Sequence, residues 1–331
     1  DWKKKQHITR AVSLVQHKTA PTTLLIKKVL AHSPKTSRSP FPAEIRALNL
    51  LPRCNRVLIH TFYAPSTPDT AHGTAFYAYC PLGDVMAWKE THFDDRNKPV
   101  PESHIWRFFL QISQALAFLQ CALGPATATR EVLLHRDIKP ENVLVVHNGT
   151  AYPSFKLHDF DCMKIVKRTG KTRRTSICGT FEWQGPENPR INNTAAEVWA
   201  VGACVYFLAV GEPPVGDVDA YGEMRRRRMG KKGLPKGARV YPSPEHYFAA
   251  RVPRRVVRIN LSREEQEERG ISSLNHRYGD ELNDWMMRCL SHKPDERPTT
   301  EKLVDEMGPV ARGMLEKLGG KAALVDMDVT F

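Results

Sequence analysis

The sequence predicts a two-lobed α+β protein: a small β-rich lobe carrying one helix, then a larger, mainly helical lobe. Three observations carry this. Strand-like runs fill the chain up to Pro81, the pattern turns helical beyond it, and residues 198–210 are apolar on every face, as a helix at the centre of a large core must be. At 331 residues the chain can bury a sizeable core, and 41% hydrophobic with 26% charged residues is ordinary globular composition.

In chain order, AVSLVQ (11–16) and TTLLIKKV (22–29) are β-rich and separated by HKTAP, a hairpin signal. A short helix is expected from Phe41 to Leu51, after a Pro/Ser-rich loop, and further strands at 57–64 and 74–80. Between Pro101 and Gln120, Ile105, Phe108, Phe109, Ile112, Leu116 and Leu119 recur at the helical period. Helices are also expected at 280–292 and 299–307, and Ser262-Arg263-Glu264-Glu265 reads as a capping box. There are no internal repeats.

The longest uncharged apolar run, 198–211, is shorter than the roughly 20 residues that cross a bilayer as a helix. Trp2-Lys3-Lys4-Lys5 leads into no apolar stretch, so no secretory leader is expected, and the chain opens on Asp1 as a fragment or processed form does. Seven scattered cysteines without a C-x-x-C pair predict neither a zinc ribbon nor a disulfide framework. They point to a reducing, intracellular compartment, cytoplasmic or nuclear. The net charge of +13 is local: residues 225–258 hold twelve Lys or Arg against one acid, Glu245.

The stretch LLHRDIKPENVLV (133–145) sets Arg136, Asp137, Lys139 and Asn142 between two short apolar β runs. Phosphoryl transfer needs a carboxylate to orient and deprotonate the attacking hydroxyl, a cation on the moving group and oxygen ligands for Mg²⁺. Asp137, Lys139 and Asn142 can supply these, and KLHDFD places a second carboxylate, Asp159, after a short strand.

With these motifs the chain resembles the eukaryotic protein kinase family, more closely its serine/threonine branch. HRDIKPEN stands for the catalytic loop H-R-D-L-x-x-x-N and DFD for the metal loop D-F-G. GTFEWQGPE (179–187), EVWAVGACVYFLAVGEPP (197–214) and CLSHKPDERPT (289–299) resemble three later segments, and order and spacing agree from about residue 10 to 307. The resemblance implies a kinase-like domain over 1–307, with a small lobe at 1–79, a large lobe at 80–307, a basic insert at about 217–261 and a tail at 308–331. It implies ATP and Mg²⁺ as cofactors and a protein Ser/Thr hydroxyl as acceptor.

Residue by residue, it implies Asp137 and Lys139 as catalytic groups, and Asn142 and Asp159 as metal ligands. LLIKK puts Lys27 on the phosphate-holding lysine, with Lys28 as rival, and FPAEIRAL makes Glu44 its partner. FYAYCPLGD resembles the hinge, with Tyr77 guarding the adenine pocket and Ala78 and Cys80 as backbone partners; Val12, Leu25 and Leu144 complete the expected nucleotide contacts. Supporting roles fall to His135, Arg136, Phe160, Thr180, Glu187, Glu197 and Arg297, with Glu187 and Arg297 as a buried ion pair. Thr172, Thr175 and Ser176 are candidate phosphosites or an ordinary solvated loop.

The pattern also breaks. KQHITR stands where the family writes the glycine-rich loop G-x-G-x-x-G, Leu25 falls on its small alanine, Asp161 replaces the last glycine of D-F-G, and Glu197 replaces an aspartate. Two readings follow: a serine/threonine kinase with an altered ATP clamp, or a pseudokinase acting as scaffold or binding module. The basic insert reads as a nuclear-localisation signal, a patch for an acidic partner or nucleic acid, or a disordered charged insertion. No membrane contact is expected.

Overall fold

The computed structural model describes residues 1–32, 41–125, 131–166, 178–187, 193–230, 233–271 and 276–331. Strands β1 (Trp2–His7), β2 (Val12–His17) and β3 (Leu24–Ala31), helix α1 (Ala43–Leu48), then β4 (Phe62–Ala64) and β5 (His72–Ala78) form the small lobe. Its sheet runs β1-β2-β3-β5-β4, antiparallel at each pairing. β1 has no sequence signal because WKKKQH is almost wholly polar and its strand is almost wholly exposed. The expected strand at 57–64 shrinks to β4; Val57 instead makes a single parallel bridge to Leu157.

The larger lobe begins with α2 (Val85–His92), capped by the Asp84 side chain on Ala87 N–H, and α3 (Glu102–Leu119). Sixteen of the eighteen α3 residues are buried, so this helix is central rather than amphipathic. Strands β6 (Val132–Leu134), β7 (Val143–Val146), β8 (Ser154–Leu157) and β9 (Lys164–Val166) follow. β6 pairs with β9 and β7 with β8, which sets the loop 135–142 beside the loop 158–163. This pairing brings the two motifs together.

Helix α4 (Thr194–Val210) is capped by Asn193 and ends at Gly211 in the left-handed conformation. It runs through one core with α3, α8 (Asp280–Cys289) and α9 (Thr300–Asp305), and Trp106, Phe108, Phe109 and Trp199 are fully buried there. Between α4 and α8 lie α5 (Val218–Met229), α6 (Pro244–Ala249) and α7 (Arg263–Glu268), the last carrying the expected capping box.

The described residues of the insert are therefore folded rather than a disordered charged run. Tyr221, Met229, Ala238, Tyr241, Tyr247 and Phe248 pack into a cluster of their own, and Arg251 stacks on Tyr247 at 3.9 Å from the ring centre. The tail is also built in. Helix α10 (Met307–Ala323) packs on α3, and residues 323–328 hand their carbonyls to buried Arg56 and Arg107.

Candidate active site

The loop between β6 and β7 is held from below by Glu197 on α4. Its Oε1 accepts Arg136 N–H at 2.8 Å and its Oε2 accepts Gln120 Nε2 at 3.1 Å. Burial pushes this carboxyl up to about 7, against the pull of those donors. The longer glutamate thus braces the loop by side-chain acceptance. His135 Nε2–H donates to His158 O at 2.9 Å, and its ring meets buried Phe160 edge-on. Burial holds His135 below the usual histidine range, so a neutral imidazole ties the two motif loops.

Asp137 faces a dense set of partners. Its Oδ1 accepts the Thr180 N–H at 2.8 Å and lies 3.0 Å from Thr180 Oγ1, and its Oδ2 accepts Asn142 Nδ2 at 3.1 Å. Lys139 Nζ donates to Thr180 Oγ1 at 3.1 Å and lies 3.8 Å from Asp137 Oδ2. Gly179 makes this contact possible. Its φ is +84°, and a Cβ there would fall 2.2 Å from the Arg136 carbonyl oxygen. Asn142 Nδ2 also donates to Asp137 O at 2.7 Å, so its amide nitrogen is committed and Oδ1 is the atom left to offer a metal.

A second chamber, about 890 Å³ with its open mouth, lies between the lobes. Val12, Tyr77, Ala78, Cys80 and Leu144 line it with Ile8, Leu58, Glu44 and Asp159. Size and apolar walls suit a nucleotide base. Asp137 does not line this chamber but a smaller one, with Thr180 and Trp183; Asn142 links residues of the two, through its bonds to Asp137 and through its carbonyl, which accepts His158 N–H.

Lys27 and Leu25 are corrected here. In β3 side chains alternate, and Lys27 pairs with Ser13 and Phe76 on the face turned away from the chamber. The chamber is lined instead by Ile26 and Lys28. Lys28 Nζ lies 2.7 Å from Glu44 Oε2, 2.8 Å from Asp159 Oδ1 and 3.2 Å from Asp161 Oδ2. The narrowing of the roof therefore comes from Ile26. Two adjacent lysines leave the register ambiguous by one residue, and one residue reverses every face.

Electrostatics follow from this crowding. Burial pulls Lys28 down, but Glu44, Asp159 and Asp161 together hold it above the ordinary lysine value. Burial pushes Glu44 up to about 7 even with Lys28 opposing; Tyr77 Oη donates to its other oxygen at 2.8 Å. Burial also opposes ionisation of Asp159, yet Lys28 keeps it below the usual range. One oxygen from each of Glu44, Asp159 and Asp161 falls within 4.8 Å of the others, a hard-oxygen set that fits Mg²⁺.

Asp161 itself shows no positive φ; the left-handed residue of the motif is Asp159, at +64°, so replacing glycine by Asp161 costs no backbone strain. The degenerate loop closes without glycine too. Val12 O accepts Ile8 and Thr9 N–H, Thr9 O accepts Val12 N–H, and Thr9 Oγ1 accepts Ala11 and Val12 N–H. Glu187 and Arg297 pair at 2.6 Å with both side chains buried. The scattered cysteines include one disulfide, Cys162–Cys178, against the sequence expectation. It joins the residue just after Asp161 to the residue just before Gly179, 16 apart in the chain. Thr172, Thr175 and Ser176 lie outside the described residues.

Residues 9–307 match the protein kinase domain family. The chain belongs to the protein kinase family. It is 38% identical to an Aurora kinase of Eremothecium gossypii over 104 residues, 31% of this chain and 26% of that protein. It is 29% identical to Aurora kinase A-A of Xenopus laevis over 153 residues, 45% and 32% of the two chains. A human mitogen-activated protein kinase kinase kinase 19 matches at 27% over 199 residues, 58% of this chain and 13% of that one. The matched part of the chain spans about a quarter to a third of the two Aurora relatives.

One residue of this kinase domain escaped sequence reasoning. Arg254, one of the twelve basic residues of 225–258, is buried and donates to the carbonyls of Phe181, Gln184, Ala249 and Val252. It fixes the segment that carries Thr180. Nothing in a run of arginines distinguishes the one that folds inward. Among the described residues no helix is long and apolar enough to cross a membrane.

Proposed function

We propose that this kinase domain transfers the γ-phosphate of ATP to a Ser or Thr hydroxyl of a protein substrate, using Mg²⁺. The observation that carries the reading is the cluster of Asp137, Lys139, Asn142 and Thr180 within hydrogen-bonding reach of one another, next to a base-sized chamber ending at Lys28 and Asp159. Asp137 orients the acceptor hydroxyl and takes its proton. Lys139 supports the moving phosphoryl group from the same side. Lys28, held by Glu44, meets the phosphates, and Asn142 and Asp159 would hold the metal. When bound, Mg²⁺ neutralises phosphate charge and aligns the transferred group. Thr180, between Asp137 and Lys139, fits a hydroxyl-bearing acceptor arriving beside it.

The insert adds a substrate preference to this proposal. α6 packs against Phe181 through Ala249, Ala250 and His246, and α5 packs on α6. The exposed Arg226, Arg227 and Arg228 of α5 thus belong to the same wall as the acceptor site, and they suit acidic residues flanking the hydroxyl.

The test is phosphate incorporation from labelled ATP by the wild type beside Asp137→Asn, on the chain itself and on a basic protein and an acidic one. Label in the wild type and its loss by about a hundredfold or more in the variant supports transfer. Equal label in both refutes it, and no label in either leaves the pseudokinase, a kinase-shaped binding module, as the reading.

A further inference from the structure

The nucleotide chamber is unusually short of positive charge. Among its described lining residues Lys28 is the one lysine, and no arginine is present. Against Lys28 stand Glu44, Asp84 and Asp159 in the lining and Asp161 at its edge. The turn above, where a protein usually presents amides to phosphates, has spent its donors internally: the N–H groups of Ile8, Thr9, Ala11 and Val12 all point at Val12 O or at Thr9. Within this chamber a nucleotide's phosphates therefore meet one ammonium, Lys28, which already sits among three carboxylates; Lys139 lies outside it, beside Asp137.

We infer that Asp161 is an affinity-setting latch: by joining Glu44 and Asp159 around Lys28 Nζ, it makes the binding of nucleoside di- or triphosphates conditional on a divalent cation. Glu44 and Asp159 alone leave Lys28 one side from which a phosphate oxygen can approach. Asp161 Oδ2 lies 3.2 Å from the same nitrogen, beside the hydrogen bonds to Glu44 and Asp159. Without metal, an incoming phosphate must displace a carboxylate from Lys28 and sit beside it, two like charges in a partly desolvated site. A divalent ion reverses the sign: the same carboxylate then faces a cation, and Lys28 is released to the phosphates. Asp161 is the member free to do this. Its side chain is 57% exposed, whereas Glu44 is buried and fastened by Tyr77.

The inference rests on the nucleotide-binding reading above, and its test separates the two. ADP binding is measured by calorimetry for the wild type and Asp161→Asn, each in EDTA and in excess Mg²⁺, with adenosine as a ligand that cannot reach Lys28. Asp161→Asn keeps the shape and removes the charge, and equal melting temperatures in the absence of ligand establish that the fold is intact. The expected result is metal-free ADP binding about tenfold tighter in the variant, with affinities in Mg²⁺ within about threefold and adenosine unchanged. Equal metal-free affinities overturn the latch. Loss of affinity only in Mg²⁺ also overturns it, by making Asp161 a plain metal ligand. If neither protein binds ADP or adenosine under any condition, the nucleotide site itself fails, and the latch with it.

Discussion

Lys28 Nζ lies 2.7 Å from Glu44 Oε2, and this bond, not one from Lys27, joins β3 to α1. The two lysines are neighbours on one strand and face opposite sides of the sheet, so they offer a clean internal comparison. Lys28→Met should abolish the thermal shift given by ATP with Mg²⁺ and lower phosphate transfer by about a hundredfold or more, whereas Lys27→Met should leave both within about threefold. The reverse outcome would return the phosphate-holding role to Lys27.

Glu197 and Glu44 make stability depend on pH in a stated direction. Burial raises both carboxyls from their ordinary 4.5 to about 7 in the folded protein. A raised folded value means that the folded state binds protons more tightly. The stabilisation is full below pH 4.5 and is lost as pH rises through about 7. Glu197→Gln should remove its share, on the order of 2–3 kcal/mol between those limits. Urea denaturation at steps across pH 4.5 to 8 checks this. A variant whose slope matches the wild type would show that Glu197 is not the carboxyl responsible.

How much of this was legible beforehand depended on whether the signal was periodic or positional. The central helices were readable because α3 and α4 are apolar over whole turns, and the site loops because HRDIKPEN and the DFD turn carry polar residues at fixed intervals between β runs. β1 was not, since five of its six residues are exposed and nothing in WKKKQH alternates. Lys27 and Lys28 could not be separated by composition; only the pairing of Lys27 with Ser13 and Phe76 sets the face. The disulfide joins residues whose proximity depends on β6 and β9 pairing, a contact with no sequence spacing of its own.

The arginines of the insert should divide into two kinds. Arg254 is buried against four carbonyls, so Arg254→Ala strands them and should cost about 2–4 kcal/mol. It should also depress transfer by displacing Phe181 and Thr180. Replacing Arg226, Arg227 and Arg228 together by Ala removes exposed charge, with the Arg226–Phe248 stacking and the exposed Arg227–Glu223 pair. Stability should stay within about 0.5 kcal/mol per site, while KM for a peptide with acidic flanks rises several-fold and kcat holds. Titrating KM with salt is the check: the wild-type value should climb with ionic strength and the triple variant's should not. An unchanged KM for acidic peptides would remove the insert from substrate choice.

The last segment of the chain should prove structural out of proportion to its length. Arg56 and Arg107 are fully buried, and residues 323–328 neutralise their donors with carbonyls: Asp326 O at 2.6 Å and Asp328 O at 2.9 Å on Arg56, Ala323 O at 2.6 Å and Val325 O at 2.9 Å on Arg107. Asp326 also pairs with Arg56 at 3.2 Å, and Arg56 precedes the Val57 bridge that leads towards β4. Ending the chain after Leu324 leaves the Arg56 guanidinium in a dry site with Gln114 Oε1 as its one remaining partner of four, while Arg107 loses Val325 O and keeps Pro153 O, Ser154 Oγ and Ala323 O. Stranding a buried charge costs about 3–5 kcal/mol, so the truncated protein should lose at least that much in urea denaturation. Arg56→Met in the full chain separates charge from packing: with the stranded guanidinium gone, it should cost less than the truncation. A truncated protein as stable as the full chain would show that water reaches Arg56 and Arg107 and that the strap is dispensable.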